Sequence, residues 1–268
     1  MQQEHERFAA WVGSLEARHL ADLTFAEVSR ALRALSSAYV ERRHKLVQGA
    51  ALGGAGKRAA FALFYGPLHY MLVAHVVEQL TAATTGIQTV IDLGCGTGAA
   101  GAAWALAFDP SPRIIGIDRH PWALREAAAT YKSFGLSAHL EEDDIAATRL
   151  PSARRSAPAA ILAAFAVNEL SDAARHALLP RLIESARRGD RVLVVEPIGG
   201  VVARWWDEWR REVERAGGRA DEWRFRAELP PIVAKLDRAA GLNHREITGR
   251  SLWVNGAASR AASRSPSS

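Results

Sequence analysis

The chain predicts an α/β fold: a mostly parallel sheet of seven strands, helices on both faces, and an antiparallel hairpin at its end. Three observations carry this. Val90-Ile91-Asp92-Leu93 reads as a buried strand that breaks into Gly94-Cys95-Gly96-Thr97-Gly98 and then into an alanine-rich helical run, Ala99 to Phe108. Apolar runs and helical stretches alternate from there to Val195, the pattern of parallel strands joined by crossover helices. Two short strand-like runs, His244–Thr248 and Ser251–Val254, are joined around Gly249-Arg250 and read as the closing hairpin.

Each element has its own signal. Residues 1–80 read as an N-terminal helical cap, with Phe25, Val28, Leu32, Leu35 and Tyr39 at near-helical spacing over Phe25–Val47. A small-residue linker, Gly49–Gly56, leads to a helix beginning at about Pro67, where a missing N–H costs nothing. The sheet domain covers residues 81–256. Its strands are Thr89–Leu93, Arg113–Ile117 ending in Asp118, and Ser137–Leu140 ending in Glu141 to Asp144. Ala159–Val167, ending in Asn168-Glu169, and Arg191–Val195, ending in Glu196, complete the parallel set. Helices over Pro121–Ser133, Asp172–Arg187 and Leu229–Ala240 fill the gaps, and residues 257–268, rich in Ser, Ala and Arg, read as a disordered tail.

Composition narrows the function classes. One cysteine, Cys95, excludes a disulfide framework and any cysteine-built metal centre. With no signal-peptide pattern at the N-terminus, a reducing, cytoplasmic setting is expected. His44, His69, His75, His120, His139, His176 and His244 show no ligand spacing with carboxylates, so no metal is expected. Ala59 to Val77 carries no Asp, Glu, Lys or Arg and would just span a bilayer. Gly66-Pro67 interrupts it, and a buried helix explains it better. The net charge of +5 admits a nucleic-acid partner. The basic residues are nearly all Arg in an Ala-rich chain, a bias that base composition also produces.

The glycine loop is where a ligand belongs. Glycine lets backbone turn tightly and come close to a bound group, and the helix that follows presents free N–H groups. A dinucleotide loop spaces its glycines G-x-G-x-x-G. Here the third glycine, Gly98, comes one residue early, and Asp92 would repel a pyrophosphate. A carboxylate at that point suits a ligand with a cationic amino group. The resulting D-x-G-x-G-x-G resembles motif I of the class I S-adenosylmethionine (SAM) methyltransferases, and so implies a Rossmann-like sheet with SAM as cofactor.

On that resemblance Asp92, Gly94, Cys95, Gly96 and Gly98 line the cofactor. The Cys95 side chain itself reads better as the small filler of a tight turn. Asp118, a little over twenty residues on, is placed to accept from both ribose hydroxyls, in preference to capping the helix at Pro121. Asp143 and Asp144 stand where such enzymes place an acid near the adenine amino group. Asp144, followed by Ile145, fits better, and a solvated acidic turn is the alternative. Asn168 is the candidate catalytic residue, facing the acceptor or the sulfonium end of the cofactor. Two readings stay open, because Asn168 or Ser171 would also cap the next helix. Trp205, Trp206, Trp209 and Trp223 read as an apolar helix face before a base-stacking platform.

The resemblance extends further. Leu35-Ser36-Ser37-Ala38-Tyr39, Gly66-Pro67-Leu68-His69-Tyr70, Asp92 to Gly98 with Trp104-Ala105, Phe165-Ala166-Val167-Asn168-Glu169-Leu170 and Glu196-Pro197-Ile198-Gly199 occur in order. Together they resemble the methyltransferase-like family linked to the mitochondrial small ribosomal subunit, which has bacterial members. That family implies RNA or the small ribosomal subunit as partner, with rRNA or a ribosomal component as methyl acceptor. Its members carry a cysteine cluster after the fifth strand; here Glu222-Trp223-Arg224-Phe225 stands in that region without a cysteine. The basic set Arg30, Arg33, Arg42, Arg43, Lys45, Lys57 and Arg58 would meet RNA phosphates, or is a solvated helix surface. A small-molecule methyltransferase with a helical lid, or a non-catalytic SAM-binding assembly factor, are the competing functions.

Overall fold

The computed structural model describes residues 2–41, 52–83, 85–148, 150, 157–198, 204–242 and 244–256. In chain order the helices and strands are α1 (Gln2–His19), α2 (Phe25–Glu41), α3 (Ala55–Ala60), α4 (Gly66–Gln79), β1 (Thr89–Leu93), α5 (Ala99–Leu106) and β2 (Arg113–Asp118). There follow α6 (Pro121–Ser133), β3 (Ala138–Glu142), β4 (Ala160–Ala164), α7 (Asp172–Arg187) and β5 (Arg191–Glu196). The chain ends with α8 (Arg204–Arg215), β6 (Arg219–Phe225), α9 (Pro231–Ala239) and β7 (Ile247–Asn255). Part of the expected Phe25–Val47 helix, the bases Arg42, Arg43 and Lys45, and the tail 257–268 lie outside the described residues.

Two compact units emerge: residues 1–71 with 225–247, and residues 72–224 with 248–268. The helical unit therefore takes in Phe225–Ile247 and α9 as well as the N-terminal helices. Within it, Thr24 and Glu27 form a reciprocal cap on α2. The Thr24 N–H donates to Glu27 Oε2 at 2.8 Å, and the Glu27 N–H donates to Thr24 Oγ1 at 3.3 Å. Phe8 stacks on Tyr70 with ring centroids 4.8 Å apart. Between α3 and α4 the helix widens to a π turn, Phe61–Tyr65, just before Pro67. Proline has no N–H to give the preceding turn, and the wider turn accommodates its ring.

The continuous stretch Ala55–Gln79 is, among the described residues, the one helix long and apolar enough to cross a membrane, and 67% of its apolar window is buried inside the protein. That burial accounts for its composition.

The second unit holds a seven-stranded sheet in the order β3-β2-β1-β4-β5-β7-β6. β1 pairs parallel with β2 and β4, β2 with β3, and β4 with β5; β7 runs antiparallel to β5. The central strands β4 and β5 are buried at every position, as a parallel strand covered on both faces must be. At the edge, β3 is charged and largely exposed, which discourages pairing with other chains.

The antiparallel end differs in detail from the sequence expectation. Gly249-Arg250 is no turn; both lie inside the single strand β7, and its edge neighbour is β6. Apolar alternation marked His244–Thr248 and Ser251–Val254 as two strands, because the glycine between them looked like a break. Gly249 is there for space: a Cβ would collide with Leu72.

On α8, Trp206, Trp209 and Val213 are buried at helical spacing and Trp205 is half-buried. Three of the four tryptophans thus sit on one helix, largely as core, and Trp223 lies on the edge strand β6.

Candidate functional site

The strand order reverses between β1 and β4. At such a switch point the connections leave in opposite directions and open a crevice at the carboxyl ends of the strands. The loop Gly94–Gly98 occupies that position. Gly94 has φ +70°, and a Cβ on it would stand 2.6 Å from the Cβ of Ala166. Its absence lets the turn after β4 close against the loop. Gly96 has φ +52°, and a Cβ there would meet nothing within 4 Å. Bare backbone therefore faces open space at Gly96, the arrangement that a closely approaching ligand requires.

Three neighbours hold the loop in shape. The Gly94 and Cys95 N–H groups donate to the Ile117 carbonyl at 2.8 and 3.0 Å. The Gly96 N–H donates to Asp118 Oδ2 at 2.9 Å, while Asp118 Oδ1 accepts from the His120 N–H at 2.8 Å. The helix cap weighed as the alternative role of Asp118 falls to His120, whose Nδ1 accepts from the Trp122 N–H. Asp118 remains half-buried, with carboxylate lone pairs to spare.

Asp92 sits behind the loop rather than in its mouth. It is 1% exposed, accepts from the Tyr131 hydroxyl at 3.1 Å, and also accepts from the Gly101 N–H. Burial pushes its carboxyl up to about 7, against the pull of these hydrogen bonds and with the like charge of Asp118 adding to the rise. Cys95 is buried, its thiol pushed up by burial and by the same two carboxylates, so it stays protonated and fills the turn. Only the backbone of Cys95 is left to face a ligand.

Asp143 and Asp144 lie together after β3, both exposed. Asp143 accepts from Thr148 Oγ1 at 2.6 Å and from the Asp144 N–H at 2.8 Å; the first of these bonds chiefly holds its carboxyl below the usual range. Asp144 Oδ1 accepts from the Ala146 N–H at 2.9 Å. Both thus shape a short turn, with Ile145 buried between them and the glycine loop. The Asp143 N–H donates to the Asp118 carbonyl at 3.3 Å, which brings the β2 and β3 acids to one rim.

On the other side of the crevice stands a group that sequence reasoning left incomplete. Asn168, in the single 3-10 turn Val167–Glu169, is exposed. It is not the cap of α7; Ser171 is, accepting from the Ala174 N–H. The Asn168 Nδ2 donates to Glu196 Oε2 at 2.6 Å, and its Oδ1 accepts from the Trp205 Nε1–H at 3.1 Å. Glu196 Oε1 accepts from the Val167 and Asn168 N–H groups at 2.8 and 3.1 Å. Fully buried, Glu196 is pushed up to about 8 by desolvation, with those backbone bonds opposing. Phe165, where the chain leaves β4, has φ +58°, an uncommon conformation for an aromatic residue, found where neighbours over-determine the backbone.

Tyr131 and Arg250 carry no motif that marks them, while Glu196 opens the run Glu196-Pro197-Ile198-Gly199 and Trp205 belongs to the tryptophan cluster, neither with an assigned role. An acid ending an apolar strand was the available signal for Glu196. Arg250 stacks over the Trp206 ring at 4.0 Å and stands opposite Glu196 in the β5–β7 register. Among the described residues no group of three or more His, Cys, Asp or Glu is placed to hold a metal.

Residues 90–189 match the family model of a methyltransferase domain. No curated protein sequence matches the chain. Among solved structures, a SAM-dependent methyltransferase from Aquifex aeolicus is 17% identical over 70% of this chain and 90% of its own, with a TM-score of 0.46. A SAM-dependent methyltransferase from Agrobacterium tumefaciens is also 17% identical, over 71% of this chain and 62% of its own, with a TM-score of 0.46. A SAM-dependent O-methyltransferase from Thermotoga maritima is 15% identical over 69% of this chain and 64% of its own, with a TM-score of 0.43. Over residues 90–189 the chain is therefore similar to a methyltransferase domain.

Proposed function

We propose that this domain methylates RNA of the small ribosomal subunit, acting in the cytoplasm, with SAM held on the Gly94–Gly98 loop. One observation carries the cofactor site: the open backbone at Gly96 is fastened to Asp118 at the switch point of the sheet. The residues fit the cofactor. The loop leaves a cradle that a side chain at 96 would fill, and Asp118 has lone pairs free for the two ribose hydroxyls. Asp143 and Asp144 stand at the rim for the adenine end. Asp92 supports the loop from below, buried and bonded to the Tyr131 hydroxyl.

SAM supplies an already activated methyl group, so the chain's own residues need only position the acceptor and exclude water. Asn168 is placed for the first task, exposed at the end of β4 and held by Glu196 and Trp205. The RNA reading is supported by the family resemblance and by the net charge of +5. Trp205 adds to it: its half-exposed ring offers a face of the kind on which bases stack.

The deciding experiment incubates purified protein with methyl-labelled SAM and small ribosomal subunits from cells that lack it. Label in the RNA is the expected result. Label confined to a small-molecule fraction would replace RNA with a small acceptor. SAM binding without label anywhere would leave a binding factor. Charge reversal at Arg30 and Arg33, exposed on α2, should also weaken RNA binding and flatten its salt dependence.

A further inference from the structure

We infer that Glu196 is a positioning residue whose ionised carboxylate fixes the side-chain amide of Asn168 in one orientation, so that its charge state sets what the site offers an acceptor. The inference rests on the reading of Asn168 as the acceptor-side residue, but the hydrogen-bond network behind it stands alone.

Three donors converge on this one carboxylate: the Val167 N–H, the Asn168 N–H and Asn168 Nδ2. None can accept a proton in return. Protonated Oε2 would turn its O–H against the Nδ2–H of Asn168, donor facing donor. The amide could relieve this by rotating so that Oδ1 accepts from Glu196. Nδ2 would then face the Trp205 Nε1–H, which now donates to Oδ1 at 3.1 Å, and a second donor pair would clash. The ionised state is the one in which all four bonds coexist. Losing it releases Asn168 from at least one anchor, and Asn168 is the exposed member of the set.

The surroundings make this charge costly enough to titrate. Glu196 is 0% exposed, and burial raises its carboxyl to about 8. Glu169 from the same 3-10 turn adds repulsion, while Arg250 from β7 opposes it. Arg175 from α7 spends its guanidinium on the carbonyls of Val167, Asn168 and Leu170, and on Asp172. The network therefore changes state within the neutral range, and the Asn168 amide becomes fully fixed only on its alkaline side.

Two-dimensional 15N spectra of the full-length protein test this without an acceptor. The Trp205 indole N–H, identified among the eight tryptophans by Trp205→Phe, should shift between about pH 6 and about pH 9, with a midpoint near 8. Glu196→Gln keeps an acceptor for the backbone N–H groups but puts an NH2 where Oε2 stands, and so imitates the protonated state. It should abolish the titration. Asn168→Ala should remove it too, by cutting the link. A Trp205 resonance that does not move with pH in the wild type, or that moves alike in Glu196→Gln, would overturn the inference. Calorimetry separates this from the cofactor reading. Glu196→Gln should bind SAM within about twofold of wild type while methyl transfer falls about tenfold or more. Loss of SAM binding in the wild type would instead remove the cofactor site and leave the Glu196 titration to be judged alone.

Discussion

The Tyr131 hydroxyl donates to Asp92 Oδ2 across 3.1 Å, with each residue only 1% exposed. β1 and α6 are thereby tied together directly beneath the glycine loop. The bond also explains why an acid can be buried there at all. Hydrogen bonds from Tyr131 and Gly101 repay part of the desolvation, and a retained proton avoids the rest.

Stability should fall as pH rises through the neutral range. Asp92 ionises near 3.8 when unfolded and near 7 when folded, so between those values the folded chain holds the extra proton. Its contribution is full below the lower value and is lost as pH climbs to the upper one. Glu196 acts in the same direction between 4.5 and about 8. Melting temperatures across this range should decline, and Asp92→Asn should make the decline shallower. Parallel slopes for wild type and variant would refute the assignment to Asp92.

Asp118→Ala should weaken SAM binding by about 1–3 kcal/mol, since it removes both the acceptor proposed for the ribose and the tether on Gly96. Calorimetric titration measures this directly. NAD should give no binding signal, and tight NAD binding without a SAM signal would reverse the cofactor assignment.

Gly101→Ala should destabilise the fold by about 1–3 kcal/mol through overpacking, because the new methyl would land on Asp92 Oδ2. Chemical denaturation is the measurement. A variant as stable as wild type would mean that α5 can move away from β1 at little cost.

The tryptophans of α8 should separate into two kinds. Trp209 is 0% exposed, and Trp209→Ala should cost about 3–5 kcal/mol of stability. Trp205→Ala should cost only about 1 kcal/mol and instead reduce acceptor binding. Equal losses of stability would make Trp205 a core residue and nothing more.

Chelation should leave both melting temperature and SAM affinity unchanged. The chain has one cysteine, and that thiol is buried with its proton raised well out of reach of ordinary titration. Metal analysis of purified protein should find nothing stoichiometric.

The sequence by itself determined what is local. Strand, glycine loop and helix at Val90–Phe108 follow from residue types within a few positions of one another, as does the acid that closes β2 at Asp118. The alternation of elements to Val195 follows likewise, because parallel strands covered on both faces are predominantly apolar. The edge strand β6 was not legible. Its residues Arg219 to Phe225 are mostly charged, and an edge strand with a solvated face carries no apolar run to announce it. The partner of each acid was equally hidden. Asp92 meets Tyr131 across 39 residues and Glu196 meets Asn168 across 28. Only the packing of α6 on β2 and α5, and the parallel register of β4 on β5, bring those groups within bonding distance. Tertiary structure therefore decided which carboxylates are buried, which keep a proton, and that Asn168 is held from two sides rather than capping a helix.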